Sequence, residues 1–194
     1  MRGIRLLAVV AAAGLAACEQ TATDSLAPTP TTDPRIARSS TPQNEAAIGS
    51  VRGSGQYDIG GLIVDFSFDA EIEENGKGDG EFRIFADEGD GLTVDFEGKV
   101  TCLAVDAVNR RAWIGGKVKS NASTDPTLQA KIHRPGHDIW FRVLDDPAGD
   151  RSTFVGFEGS AGFITSADYC AGQPWPADNA RTWPVVAGGI TILP

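Results

Sequence analysis

The stretch LIVDFSFDAEIE, Leu62 to Glu73, decides the fold of this chain. Apolar side chains alternate with polar ones along its length, from Leu62, Val64 and Phe66 onward. Alternation with a period of two is typical of a β-strand that has one buried and one solvated face. Asn75-Gly76 follows at once, and this pair favours a tight hairpin turn. The stretch therefore predicts the first arm of an antiparallel hairpin.

The same alternation extends outward from this hairpin. In LTVDFEGKVTC, Leu92 to Cys102, it predicts that Val100 and Cys102 both point into the core. Turn-rich segments separate the remaining strand patterns. The predicted strands are 50–57, 62–73, 81–86, 92–102, 111–119, 139–145, 153–157 and 185–192.

Eight consecutive hairpin strands predict an all-β fold, a single antiparallel β-barrel with meander order. A β-sandwich is the alternative. We favour the barrel because pairing the first and last strands removes both sheet edges. Helical periodicity is almost absent, and two long irregular connections remain, 120–138 and 166–184.

The N-terminus has the layout of an export signal. Arg2 and Arg5 precede an apolar run that ends in small residues before Cys18. Leu6 to Ala17 is shorter than the roughly 20 residues that a membrane-spanning helix needs. Leu15-Ala16-Ala17-Cys18 resembles the lipobox of bacterial lipoproteins.

That resemblance implies that Cys18 receives lipid chains such as palmitate and becomes the mature N-terminus. Glu19, rather than Asp, in the next position implies the outer membrane or the cell surface within the envelope. The alternative is an ordinary cleaved signal that leaves Cys18 free. The predicted partner is thus the membrane, through the anchor.

Three regions follow from this pattern: a signal peptide at 1–17, a tether at 18–48 and a β-domain at 49–194. The tether is rich in Thr, Pro and Ser and carries no apolar periodicity. Such a segment buries too little apolar surface to repay its ordering entropy. It reaches on the order of 30 Å as a coil.

The chain is acidic, with 17 basic and 26 acidic side chains. Removal of residues 1–17 takes away Arg2 and Arg5, which leaves 15 basic side chains against 26 acidic ones and a formal charge of −11. A surface of this sign repels nucleic acid, so we predict no nucleic-acid partner. Solubility alone also accounts for the charge.

The cysteine count predicts a disulfide. The chain has three cysteines, and a lipidated Cys18 leaves Cys102 and Cys170 as an even pair in an oxidising compartment. A catalytic thiol would require Cys102 to be reduced, which export disfavours.

No motif for catalysis, for a metal or for a cofactor is complete, so we predict no catalytic residue, metal or cofactor. His133 and His137 have a zinc-like spacing, but Pro135 and Gly136 between them exclude a helix, and we expect surface-loop histidines. An enzyme is the alternative function, with Asp145 or Asp146 at a barrel mouth beside one of the histidines.

The tryptophans give the best indication of a ligand. Trp175 and Trp183 lie in the long connection after Cys170, and at a barrel mouth they would stack on a sugar or a lipid. The alternative is that they cap the apolar end of the barrel. Trp113 and Trp140 fall on predicted strands.

Several segments together resemble an uncharacterised family of secreted bacterial β-domains. They are GSGQYDIGGLIVDFSFDAEIEENG, GKVTCLAVDAVNRRAWIGGKV, WFRVLDDPAG and DYC, within residues 50–172. The resemblance implies an exported β-domain with a Cys102–Cys170 bridge and brings no activity or site residues. The tryptophan-rich tail after Cys170 departs from the family.

The predicted function is therefore a non-catalytic binding or envelope-associated module. Its partner would be an unknown small ligand or an envelope protein. A protein inhibitor or adhesion module is a further alternative to the enzyme.

Overall fold

A computed structural model describes residues 49–193. The signal peptide, Cys18 and the tether lie outside the described residues. The described part contains three short 3-10 helices, 126–129, 131–133 and 160–162, and ten longer or paired elements. These are β1 (Ser50–Ile59), β2 (Leu62–Ile72), β3 (Gly78–Gly89), β4 (Leu92–Asp106), β5 (Arg111–Asn121), β6 (Asp138–Leu144), β7 (Arg151–Ser152), β8 (Gly156–Phe157), α1 (Ser166–Gly172) and β9 (Trp183–Leu193).

Eight of the strands close into an antiparallel barrel. Strands β1 to β6 pair in sequence order, β6 pairs with β7, β7 with β9, and β9 returns to β1. The short strand β8 is an extra partner of β6. The predicted barrel is confirmed over the sandwich, because pairing of the first and last strands joins all of them in one closed sheet.

The barrel interior is a packed core. The ring centroids of Phe68 and Phe82 lie 5.6 Å and 5.2 Å from that of Phe141. Glycines directly opposite make room for two of these rings, since a Cβ at Gly53 would lie 2.5 Å from Phe68 Cζ and one at Gly98 only 2.0 Å from Phe82 Cζ. An eight-stranded barrel is just wide enough to be filled in this way. A ligand site is therefore to be sought outside it.

Cys102 lies on the outer face of the barrel, and the prediction that it points into the core is wrong. The pairing of β4 with β5 shifts register between Val100 and Cys102, which face neighbouring residues of β5. This β-bulge adds Thr101 as an extra residue and reverses the inside–outside alternation beyond it. Leu103 takes the inward position instead and is only 8% exposed.

Helix α1 covers the outer wall, in the connection predicted to be irregular. The disulfide between Cys102 and Cys170 ties α1 to β4, as the sequence predicted. Gly115 on β5 allows this approach, because a Cβ there would lie 2.6 Å from Cys102 Sγ and 2.8 Å from Ser166 Cβ. Thr165 caps α1 by accepting the N–H of Asp168. Residues 111–116 of β5 and all of β6 are therefore buried on both faces of the wall.

Candidate functional site

An aromatic cleft on the outer wall is the strongest candidate site within residues 49–193. It lies beside β6, between the segment carrying β8, helix α1 and the connection that precedes β9. Its volume is about 190 Å³. Its lining includes five aromatic side chains and one arginine: Trp140, Phe154, Tyr169, Trp175, Trp183 and Arg181.

The floor of the cleft is a stacked aromatic pair. Trp140 on β6 stacks on Tyr169 of α1 with centroids 5.5 Å apart and an interplanar angle of 19°. Phe163 meets both rings edge-on, at 6.5 Å and 5.4 Å. Gly156 on β8 leaves space for the indole edge, because a Cβ there would lie 2.5 Å from Trp140 Nε1. The floor is therefore fixed by packing before any ligand arrives.

The walls carry the two tryptophans that the sequence singled out. Trp183 starts β9 and pairs with Ser152, and Trp175 lies in the preceding connection. Both are half-buried and line this one cleft. Trp183 also packs against the barrel core, as Phe154 does, whereas Trp175 lies against the guanidinium groups of Arg142 and Arg181. The role of the two tryptophans as ligand contacts stays a prediction.

Two buried arginines hold the Trp175 connection in place. Arg142 is fully buried. Its Nη1 donates to the carbonyl of Pro174 at 3.3 Å and to the carbonyl of Trp175. Its Nη2 donates to the carbonyl of Ala180 at 2.7 Å. Arg111 donates from Nη1 to the carbonyl of Asp178. Burial lowers the pKa of Arg142. Carbonyl dipoles thus take the place of carboxylate partners here.

The backbone around the cleft is strained. Trp175 and Arg181 have φ values of 55° and 58°, and Ala161, which also lines the cleft, has 56°. Side chains other than Asn and Asp rarely adopt this left-handed region, and a bulky residue there is an outlier. Strain of this kind clusters at ligand sites, where surrounding contacts over-determine it.

The histidines lie elsewhere and do not converge. His133 is buried at one barrel end, with its ring centroid 4.3 Å from that of Phe157, so the expectation of a surface residue is wrong for it. Burial lowers the pKa of His133. His137 Nδ1 lies 2.8 Å from Glu158 Oε1. Within residues 49–193, no group of three or more His, Cys, Asp or Glu side chains is arranged to hold a metal.

The acids of the enzyme alternative lie at the other end of β6. Asp145 and Asp146 follow this seven-residue strand and His137 precedes it, so roughly 20 Å of strand separates them. Asp145 is engaged structurally, since it accepts Arg110 Nη2 at 2.5 Å and the N–H of Ile192 at 3.2 Å. The structure therefore does not bring the expected acid and histidine together.

A buried polar cluster fastens the start of α1. Asp138 accepts the N–H and the hydroxyl of Ser166 at 2.9 Å and 2.7 Å, and Lys117 Nζ lies 2.5 Å from its other oxygen. Burial alone raises the pKa of the Asp138 carboxyl, but these donors bring it below its usual value. All of its acceptor positions face α1 or β5, so its role is to hold the helix on the wall.

A second concavity, of about 620 Å³, crosses β1 to β5 and reaches Gly189 and Thr191 of β9. It is larger than the aromatic cleft, but its cations already have partners. Arg52 pairs with Asp69, and Lys119 pairs with Glu81, each at 3.0 Å. Exposed pairs of this kind contribute little and mark a solvated face. The cleft beside β6 is therefore the better candidate.

The sequence indicated part of this cleft and missed the rest. It gave Trp175 and Trp183, but not Tyr169 or the arginines, which become neighbours only through the bulge and α1. The run DIWFRVL was the available signal, since all seven residues of β6 are buried. A strand buried on both faces implies a second layer over the barrel.

No helix within residues 49–193 has the length and apolar character that crossing a membrane requires. Comparison of the chain with protein-family models, with curated proteins and with solved structures finds no match in any of the three.

Proposed function

We propose that this protein is a non-catalytic binding module whose aromatic cleft takes one small ring-shaped ligand of the sugar class. The observation that carries the proposal is that Trp175 and Trp183 share one preformed cleft with Trp140, outside a filled barrel. Concave, mostly aromatic sites with a few polar groups are typical of small-molecule binding.

The size of the cleft limits the ligand to a single ring. A volume of about 190 Å³ equals that of roughly six water molecules at ~30 Å³ each. Sites for drug-sized ligands start at roughly 300 Å³. A monosaccharide unit or the end of a longer glycan fits, whereas a long acyl chain does not.

The chemistry of the lining also suits a sugar ring. Aromatic faces pack against the apolar C–H face of such a ring. Thr153 Oγ1 accepts the N–H of Arg142 at 2.9 Å, and Ser160 Oγ accepts that of Phe157 at 3.0 Å. The hydroxyl groups of Thr153 and Ser160 can therefore each still donate a hydrogen bond. A sugar ring offers hydroxyl oxygens that can accept it.

The module would act at the cell envelope. We propose that Cys18 carries the lipid anchor and that residues 19–48 separate the domain from the membrane. Residue 49 and the end of β9 lie at one end of the barrel, because Ser50 pairs with Leu193. The cleft, on the side wall, then stays open to ligands beside the membrane.

The experiment is a monosaccharide titration of the full-length protein, produced in an oxidising compartment and purified in detergent. We expect saturable changes in tryptophan fluorescence and saturation-transfer NMR signals from the bound ring. Trp175→Ala should abolish both, since it removes a wall of the cleft. Phe85→Ala, on the outer face of β3, is the matched aromatic control and should bind as the unaltered protein does.

Equal binding by the Trp175→Ala variant and the unaltered protein would place the ligand elsewhere and refute the assignment. Absence of any saturable signal across neutral and acidic monosaccharides would refute the sugar class itself.

A further inference from the structure

The aromatic cleft is a locally cationic site on an acidic protein. Arg181 lines it and is exposed, and none of its lining residues is Asp or Glu. The chain as a whole has a formal net charge of −9. The sign of the cleft is therefore opposite to that of the rest of the surface.

Arginines without carboxylate partners surround this site. Three arginines donate hydrogen bonds to backbone carbonyls of the connection that carries Arg181: Arg111, Arg142 and Arg151. Arg151 also donates to the hydroxyl of Thr182. No ion pair joins any of these four arginines to a carboxylate within residues 49–193. These guanidinium groups are thus held by neutral acceptors rather than by direct ion pairs.

The one acid in the connection does not compensate the charge fully. Burial is the main cause that lowers the pKa of Arg142, and the neighbouring Arg111 lowers it too, while Tyr169 and the exposed Asp178 raise it. Asp178 Oδ1 also accepts the N–H of Ala180 at 2.8 Å. Asp178 does not line the cleft, so a carboxylate entering it would meet a lining without Asp or Glu.

Two of the cations lie close to the ring of Trp175. The guanidinium carbons of Arg142 and Arg181 lie 5.6 Å and 4.8 Å from its ring centroid. The ring attracts each of them, but two like charges near one ring repel each other. An anion at Arg181 would relieve that repulsion and form a charge-assisted, two-pronged hydrogen bond with the guanidinium.

We propose that the cleft selects a ring that carries a carboxylate, of the uronic-acid class, and that Arg181 receives the carboxylate while the tryptophans receive the ring. This inference rests on the proposed function, because it names the ligand class of the same cleft. Arg142 and Arg111 act as positioning residues, since they hold the connection and are buried beneath it.

The test is a comparison of glucuronate, glucose and benzoate as probes in the fluorescence titration. We expect glucuronate to bind at least 10-fold tighter than glucose in 50 mM salt, and salt at 0.5 M to weaken glucuronate alone. Arg181→Gln should lower glucuronate affinity about 10-fold and remove the preference for glucuronate over glucose. Arg181→Lys should retain only part of the preference, because lysine keeps the charge but cannot form the two-pronged hydrogen bond. Arg134→Gln, at an exposed arginine of the 122–137 connection, is the control.

The outcomes separate this inference from the proposed function. Equal affinity for glucuronate and glucose, with no effect of Arg181→Gln, would overturn the inference and leave sugar binding standing. Binding of benzoate that depends on Arg181, without binding of either sugar, would uphold the carboxylate site and refute the sugar class. Failure of all three probes would overturn both.

Discussion

Removal of the Cys102–Cys170 disulfide tests how the outer layer is attached to the barrel. The perturbation is the double substitution Cys102→Ser and Cys170→Ser, which keeps side-chain size and removes the cross-link. The two residues are 68 apart in sequence. A loop of this length loses about 15 cal/mol/K of entropy in the unfolded chain when it is closed, so opening it destabilises the fold by about 4 kcal/mol at 25 °C.

The expected loss is large enough to measure in two ways. For a domain of this size, 1 kcal/mol corresponds to about 3 °C in Tm, so the double variant should melt roughly 12 °C lower. In urea the midpoint should fall, while the slope m rises slightly because the unfolded chain is more expanded. The unaltered protein in reducing agent should behave like the variant.

A loss below about 1 kcal/mol would refute the reasoning. It would mean that α1 leaves the wall without unfolding the barrel, so that the disulfide stabilises only a local structure. Fluorescence of Trp140, which stacks on Tyr169 next to Cys170, distinguishes the cases. Local release would shift its emission below the melting temperature of the barrel strands.

Four further outcomes are expected. Tyr57→Phe should leave stability unchanged or raise it by up to about 1 kcal/mol in urea unfolding, because the buried Tyr57 hydroxyl has no hydrogen-bond partner within residues 49–193. Gly98→Ala should destabilise by about 1–3 kcal/mol in the same assay, since the new Cβ overlaps the Phe82 ring, and an unchanged midpoint would contradict the packed interior. The free energy of unfolding should fall as the pH drops below about 6.5, by up to about 1.4 kcal/mol per pH unit, until the lowered pKa of His133 is reached. The reason is that in this pH range the unfolded chain binds a proton at His133 and the folded chain does not. His133→Phe should reduce this dependence of stability on pH. Cys18→Ala should abolish incorporation of labelled palmitate and move the protein from the detergent phase to the aqueous phase, and unchanged partitioning would refute the proposed anchor.

The barrel could be predicted from the sequence because its strands obey local rules. The alternation in β2 and the Asn75-Gly76 turn each determine a face or a connection without reference to distant residues. The error at Cys102 arose because a bulge is a property of two paired strands. Its only trace in the sequence is Gly115-Gly116 on the partner strand, since glycine within a strand marks a bulge or a close approach.

The cleft could be predicted only in part, because its geometry depends on long-range contacts. Trp175 and Trp183 are recognisable as tryptophans in a loop. Arg142 is not recognisable as a buried residue, since its acceptors are carbonyls 32 to 38 positions away along the chain. A buried arginine is normally expected to have a carboxylate partner, and no spacing in the sequence reports a backbone one.

The pairing of β1 with β9 also sets the order of events in folding. These strands are the first and last of the barrel, so the sheet stays open until β9 has emerged during synthesis or export. By then both Cys102 and Cys170 have emerged, and the cross-link can form around an incomplete barrel. Closing the final pair joins residues that are far apart in sequence, for example Ser50 and Leu193, which are 143 positions apart, and such distant contacts make folding slow. Until then both edges remain open to other chains, so a chaperone or rapid transit through the envelope would protect the nascent protein from aggregation.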